Sequence, residues 1–185
     1  GGSGTETMTT LLATTYAQEY FTTAIAMRDS TTLAAWETQI DNKLGPLEGR
    51  LECVVTCAVG TLSASGSLSQ STLNNQSFQM LWFEESETPG EEIAALFAAM
   101  RHQLEIQHPN NRYDRILLPG VAPQTAVTKI PSRSTQVAAL NYGLTPIDTR
   151  NGAAFAVRAV TTRTLTAGGD ADNGTIDVAV DRTAK

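Results

Sequence analysis

Three compact apolar runs, each followed by a helix-length segment with one apolar face, constrain this chain more than any other feature. The runs are Tyr20–Met27 (YFTTAIAM), Leu51–Val59 (LECVVTCAV) and Phe78–Phe83 (FQMLWF). Short, continuous and rich in β-branched and aromatic residues, they read as strands covered on both faces. After the first, Asp29 or Ser30 can cap a helix in which Leu33, Trp36 and Ile40 recur at helical spacing, and Gly45-Pro46 stops it. After the second, Gly60-Thr61 turns into a helix expected from Leu62 to about Leu73. After the third comes Thr88-Pro89-Gly90-Glu91. Here Thr88 can accept from a free backbone N–H, Glu91 can reach back, and Pro89 occupies the first turn, where its missing donor matters little. Ile93, Leu96, Phe97, Met100 and Leu104 form one stripe along that helix, which His108-Pro109-Asn110-Asn111 ends. Strand–helix units in series imply parallel strands joined by crossovers, with helices on both faces of the sheet. The fold class is therefore α/β, with a mainly parallel sheet.

Two flanking elements complete this part. Thr7–Thr15 (TMTTLLATT) reads as a short helix ahead of the first strand, and Tyr113–Leu118 (YDRILL) as a fourth strand before Pro119-Gly120. The last third changes character. Ser132 or Ser134 can cap a short helix holding Val137 and Leu140, with Gly143 as its stop. Leu144–Thr149 and Ala153–Leu165 flank Asn151-Gly152, the strongest short hairpin signal in the chain. A polar loop, Gly168–Gly174, leads into Thr175–Val180 (TIDVAV). The expected organisation is a linker or expression scar at 1–4, an α/β core over 5–130, and a β-hairpin-rich annex with its short helix over 131–185, packed on the core.

The 185 residues suit one domain, large enough to bury a core without disulfides or metals. Thirteen basic against nineteen acidic residues argue against a nucleic-acid partner, because phosphate binding needs a concentrated basic surface. No window approaches the ~20 apolar residues of a membrane span, and the first residues lack the basic and apolar regions of a secretory signal. Cys53 and Cys57 stand four apart in an apolar run. On a strand they share a face but lie ~13 Å apart, too far for a disulfide, and are expected as buried free thiols in a reducing compartment.

Candidate chemistry is sparse. The two histidines, His102 and His108, are six apart, on separated faces of a helix, and cannot share a metal. Gly60-Thr61-Leu62-Ser63 stands where a nucleophile elbow or phosphate loop would stand, yet matches neither GxSxG, GxGxxG nor GxxxxGK[ST]. Asp170-Ala171-Asp172-Asn173-Gly174 approaches a calcium loop, but its glycine falls one place early and no glutamate closes it. Glu84, Glu85, Glu87, Glu91 and Glu92 cluster about the start of the third helix, where negative charge favours the helix N-terminus. No catalytic, cofactor-binding or metal residue is assigned, and no cofactor is expected. The chain reads as a non-enzyme.

Ala138–Thr164 (AALNYGLTPIDTRNGAAFAVRAVTTRT) carries a long and unusual phrase. Its parts are Leu140-Asn141-Tyr142-Gly143-Leu144-Thr145-Pro146, then Asn151-Gly152, then Val157-Arg158-Ala159-Val160-Thr161-Thr162. This resembles contractile phage tail sheath proteins of the Mu-like type. Gly45-Pro46-Leu47-Glu48-Gly49-Arg50 and the alanine-rich helix after Pro89 agree in style. The resemblance implies the sheath's central, subtilisin-like domain, a name that concerns architecture and not proteolysis. It implies a structural subunit that stacks in rings around a tail tube and contracts to drive the tube through the host envelope. The implied partners are other sheath subunits, the tube protein, and baseplate and tail terminator proteins. The implied location is the virion tail, with assembly in the host cytoplasm. Sheath proteins are longer and couple subunits through terminal arms, so this chain reads as a trimmed central portion, expected to be monomeric. A mechanical role further implies a dense core around Trp36, Trp82, Leu96 and Phe97, and Arg158 paired with a carboxylate. The competing function is a small-ligand-binding α/β module without catalysis. Its pocket would lie at the strand ends, near Arg28–Ser30, Gly60–Ser63 and Glu84–Ser86.

Overall fold

The computed structural model describes residues 8–18, 20–50, 52–107, 113–166 and 168–171. The chain runs α1 (Met8–Tyr16), β1 (Thr22–Ala24), α2 (Ser30–Leu44), β2 (Cys53–Val59), α3 (Leu62–Ser67, continuing as π-helical turns over Leu68–Leu73), β3 (Phe78–Phe83), α4 (Gly90–Gln107), β4 (Asp114–Leu117), a 3-10 turn (Val127–Lys129), α5 (Arg133–Asn141), β5 (Leu144–Arg150) and β6 (Ala153–Arg158). The described strands form one sheet in the order β1-β2-β3-β5-β6-β4. Neighbours are parallel from β1 to β5, whereas β6 is antiparallel to both β5 and β4. The expected α/β fold with a mainly parallel sheet is what the chain adopts.

Apolar burial explains the layering. Along β3 every residue is buried, so alternate side chains serve opposite faces. Leu81 and Phe83 join Val55, Ile93, Phe97 and Ile147 beneath α4, while Phe78, Met80 and Trp82 join Leu33, Trp36 and Ile40 on the other face. Trp82 satisfies its indole N–H by donating to the Gly60 carbonyl at 2.8 Å. The α4 stripe packs as its spacing requires, with Ile93 and Phe97 fully buried and Leu96, Met100 and Leu104 at its margin. Both clusters draw residues from 5–130 and from 131–185: Ile147, Ala154 and Ala156 lie in the first, Ala139 and Leu144 in the second. The hairpin thus extends the parallel sheet as β5 and β6.

Local signals are realised selectively. Asp29 caps α2, accepting from the Thr32 N–H at 2.8 Å, and Gly45 closes it. Ser132 caps α5 through the Thr135 N–H at 3.2 Å. Asn151 and Gly152 take φ of 52° and 73°, the left-handed pair that a two-residue hairpin needs.

The fourth strand expected at 113–118 forms as β4 and takes one edge of the described sheet, paired with β6. Two expectations are corrected. The first strand shrinks from Tyr20–Met27 to three residues at the other edge, none of them buried, so it is not covered on both faces. The capping box does not form: α4 starts at Gly90, the Thr88 hydroxyl accepts from the Ala122 N–H at 2.9 Å, and Glu91 turns to Arg28. Chain crossing at this corner outcompetes a local cap. His108–Arg112 and Thr175–Val180 lie outside the described residues.

Candidate functional site

The carboxyl ends of the parallel strands are where an open α/β sheet binds ligands. Several polar groups of the segments predicted to line such a pocket are engaged with residues outside those segments. Arg28 meets Glu91 at 2.6 Å and lies across the start of α4, so that a Cβ on Gly90 would stand 3.0 Å from the guanidinium. The chain after β4 closes over β3 and β5. The Gln124 backbone N–H donates to the Thr149 hydroxyl at 2.9 Å and its side-chain amide to the Glu85 carbonyl at 2.5 Å. Lys129 stands 3.4 Å from Glu84 and 3.8 Å from Glu85. Of the glutamates read as a helix-terminal cluster, Glu91 therefore pairs with Arg28, and Glu84 and Glu85 share Lys129.

Among the described residues the titratable groups stand apart or in structural pairs. His102 is exposed on α4, and His108 lies outside the described residues. Among the described residues no three His, Cys, Asp or Glu side chains gather as a metal site would require. Cys57 is buried, and its burial pushes the thiol pKa up to about 12, which leaves it protonated and inert. Cys53 is only partly buried, a correction to the pair of buried thiols; its Sγ accepts from the Arg101 guanidinium at 2.6 Å. Glu37 is raised by burial and then by the neighbouring Asp41 carboxylate, on an outer helix away from any partner base.

The residues of the sheath-like phrase form a structural joint. Tyr142 packs its ring where a Cβ on Gly66 would stand 2.8 Å away. Gly143, at φ 71°, abuts the Thr162 backbone so closely that a Cβ would meet its Cα and O at 2.9 Å. The Thr145 hydroxyl accepts from the Val160 N–H at 3.0 Å. Thr162 donates its N–H to the Phe78 carbonyl and its hydroxyl to the Asn75 carbonyl, both at 2.9 Å. Pro146 provides the last rung between β5 and β3, where its missing N–H ends the ladder. Arg158 lies 4.0 Å from Asp114 on the adjacent strand, the pairing expected of it. The phrase thus ties the return of the hairpin to the start of β3.

Two grooves of the described surface lie beside β1. Cys53 donates its N–H to the Phe21 carbonyl and Ile25 its N–H to the Val55 carbonyl, so odd-numbered residues of β1 face β2. Thr22 and Ala24 consequently turn their N–H and C=O groups away from the sheet. A groove of about 440 Å³ runs along this edge, lined by Leu11, Thr15, Tyr20, Thr22–Met27 and Trp36. The Trp36 indole Nε1 and the Thr22 hydroxyl are buried without a hydrogen-bond partner. Around the strand's amino end a second groove, of about 670 Å³, is lined by Phe21, Leu47, Arg50 and others, with Lys43 and Glu52 among them. Leu11, Tyr20, Phe21 and Leu47 are the exposed large apolar side chains of this region.

Lys43 and Glu52 make a buried ion pair at 2.5 Å, with side chains 1% and 2% exposed. Glu52 also accepts from the Thr23 hydroxyl, and Lys43 donates to the Thr15 carbonyl and stands over the Tyr16 ring. One pair therefore binds α1, α2 and β1 together. The sequence reading did not single it out, although Lys43 continues the buried stripe of Trp36 and Ile40 at helical spacing.

No family model matches the chain, and no curated protein is similar to it in sequence. Among solved structures, the sheath tail protein from Desulfitobacterium hafniense is similar, with a TM-score of 0.68 at 13% sequence identity. The match covers 100% of this chain and 41% of that one, so the chain spans about two fifths of the length of that protein. What the two share is a fold, and the chain's architecture is tail-sheath-like.

Proposed function

We propose that this chain is the central α/β portion of a contractile tail sheath subunit of the Mu-like type, the part of the sheath termed subtilisin-like. The observation that carries this reading is the whole-chain likeness to a sheath tail protein at TM-score 0.68. The phrase from Leu140 to Thr162, which resembles that of sheath proteins, supports the same reading. The domain works as a rigid block: its core is dense on both faces of the sheet, and Lys43–Glu52, Arg28–Glu91 and Lys129–Glu84 pairs tie its elements together. In the full-length protein it sits in stacked rings around a tail tube, beside other sheath subunits, the tube protein and the baseplate and terminator proteins. Its location is the virion tail after assembly in the host cytoplasm. Contraction changes contacts between such blocks and performs no bond chemistry.

The ligand-binding alternative is disfavoured by the strand carboxyl ends, where Arg28–Glu91, Lys129–Glu84 and Gln124–Glu85 contacts occupy the crevice. Electron microscopy of a longer version of the protein, carrying the sheath's remaining parts, tests the proposal. Tubes or ring stacks are expected. A longer version that stays dispersed under all assembly conditions, while binding a small molecule at the strand ends, would replace the sheath reading with the alternative.

A further inference from the structure

Beneath the distal half of α4, the amino-terminal ends of β1, β2 and β3 carry a row of polar side chains set into the core. We propose that this seam between helix and sheet is a binding site for ordered water, entered beside Cys53.

Strand register and alternation assemble the row. Thr22 stands opposite Cys53 in the β1–β2 ladder. Val54 is in register with Phe78 and donates its N–H to the Ser77 carbonyl, so Ser77 lies beside Cys53. Gln79 follows two residues on, beside Val55. These side chains all face α4. Val55 and Cys57 of β2 and Leu81 and Phe83 of β3 fill the cluster beneath α4, and alternation sends Cys53, Ser77 and Gln79 the same way. Thr23 turns to Glu52, the partner of Lys43 on α2, which leaves Thr22 on the α4 face. From above, Arg101 comes next on the buried stripe of Ile93 and Phe97, and its Nη1 donates to the Cys53 Sγ at 2.6 Å.

This row holds more hydrogen-bonding groups than it satisfies internally. Ser77 and Gln79 are each 1% exposed, and Gln79 sits on an inner strand. Both Gln79 amide atoms nevertheless lack a partner, as do the Ser77 and Thr22 hydroxyls. Each group left so would lower the folding equilibrium constant by about tenfold or more. Water both donates and accepts, which suits a mixed set of amide and hydroxyl groups. An anion would instead face the Gln79 Oε1, and a cation the Arg101 guanidinium. Two strand spacings, about 10 Å, separate Thr22 from Ser77, so the site takes a short file of waters rather than one. Cys53 is only partly buried, whereas Cys57 on the same face is buried, so the seam meets solvent at Cys53. The inference concerns the interior of this domain and stands apart from the sheath reading.

A crystal structure of the chain 1–185 tests it. Ordered water should lie within hydrogen-bonding distance of Gln79 Oε1 and Nε2 and continue toward Ser77 or Thr22. In solution, Gln79→Met keeps the length of the side chain but removes its polar end, which leaves the waters and hydroxyls short of partners. Its folding equilibrium constant, from denaturant unfolding, should fall about tenfold. Direct protein hydrogen bonds to both Gln79 amide atoms, or density for an ion in the seam, would overturn the proposal. An unchanged or raised folding constant in Gln79→Met would overturn it too, since the amide would then have had no partner to lose.

Discussion

The two edges of the described sheet are built in opposite ways. At β4, a three-rung ladder to β6 ends in charge: Asp114 lies within 4.0 Å of Arg158, and Arg115 sits at φ 54° inside the strand. Charged side chains and a left-handed residue make a poor template for a further strand. At β1 the residues are Thr22, Thr23 and Ala24, the backbone is regular, and a groove with an unpartnered indole runs alongside. A buried ion pair then anchors this edge from below. One edge is blunted by charge, whereas the other is short, uncharged and flanked by a groove.

The largest effect should come from the anchor of the β1 edge. Lys43→Met leaves Glu52 buried without its partner and should cost about 3–5 kcal/mol in denaturant unfolding. Lys43→Met/Glu52→Leu should recover most of that loss. Exchange at Thr23 and Ile25 should quicken more than exchange in β4, and an equal loosening of both edges would break the contrast. Next comes the joint that holds β5, β6 and β4 to β3. Gly143→Ala combines left-handed strain with overlap against the Thr162 backbone, and should cost about 3 kcal/mol.

A smaller effect is expected where β1 hands over to α2. Asp29→Ala should cost about 1 kcal/mol, through loss of the cap on the Thr32 N–H. That hydrogen bond holds the Asp29 carboxyl below its ordinary value. A depressed folded-state pKa gives stability that is present above the unfolded value and lost as pH falls through the folded one. The gap between Asp29→Ala and the unaltered protein should therefore narrow below about pH 3.8. Smallest of all, Arg158→Ala at the blunted edge should change stability by less than about 0.5 kcal/mol, since both partners are about half exposed.

These effects also mark what the sequence made legible. Phe78–Phe83 was readable to the residue because a strand buried on both faces leaves no polar alternation to blur its ends. The two helix caps, read as Asp29 or Ser30 and Ser132 or Ser134, fall to Asp29 and Ser132, and Asn151-Gly152 turns the hairpin, because each signal is satisfied within a few residues. Thr88 failed for the converse reason: its hydroxyl found Ala122, a partner thirty-four residues away that no local pattern announces. The position of β4 was illegible on the same grounds, since its apolar content fits either a place beside β3 or an edge beside β6. Lys43 was overlooked because a lysine in a helix reads as solvent-facing until a carboxylate is folded against it. The phrase at Ala138–Thr164 drew notice as a resemblance before it had a structural meaning; Gly143, Thr145 and Thr162, with Tyr142 against Gly66, supply that meaning as a packed joint.

The account rests on a rigid block that assembles only through parts of a longer protein. Its most direct test is the sedimentation mass of the chain 1–185 beside that of a longer version carrying the sheath's remaining parts. The account predicts a monomer of about 19.7 kDa for the first and large polymers for the second. Two monomers, or rings built by 1–185 alone, would contradict it.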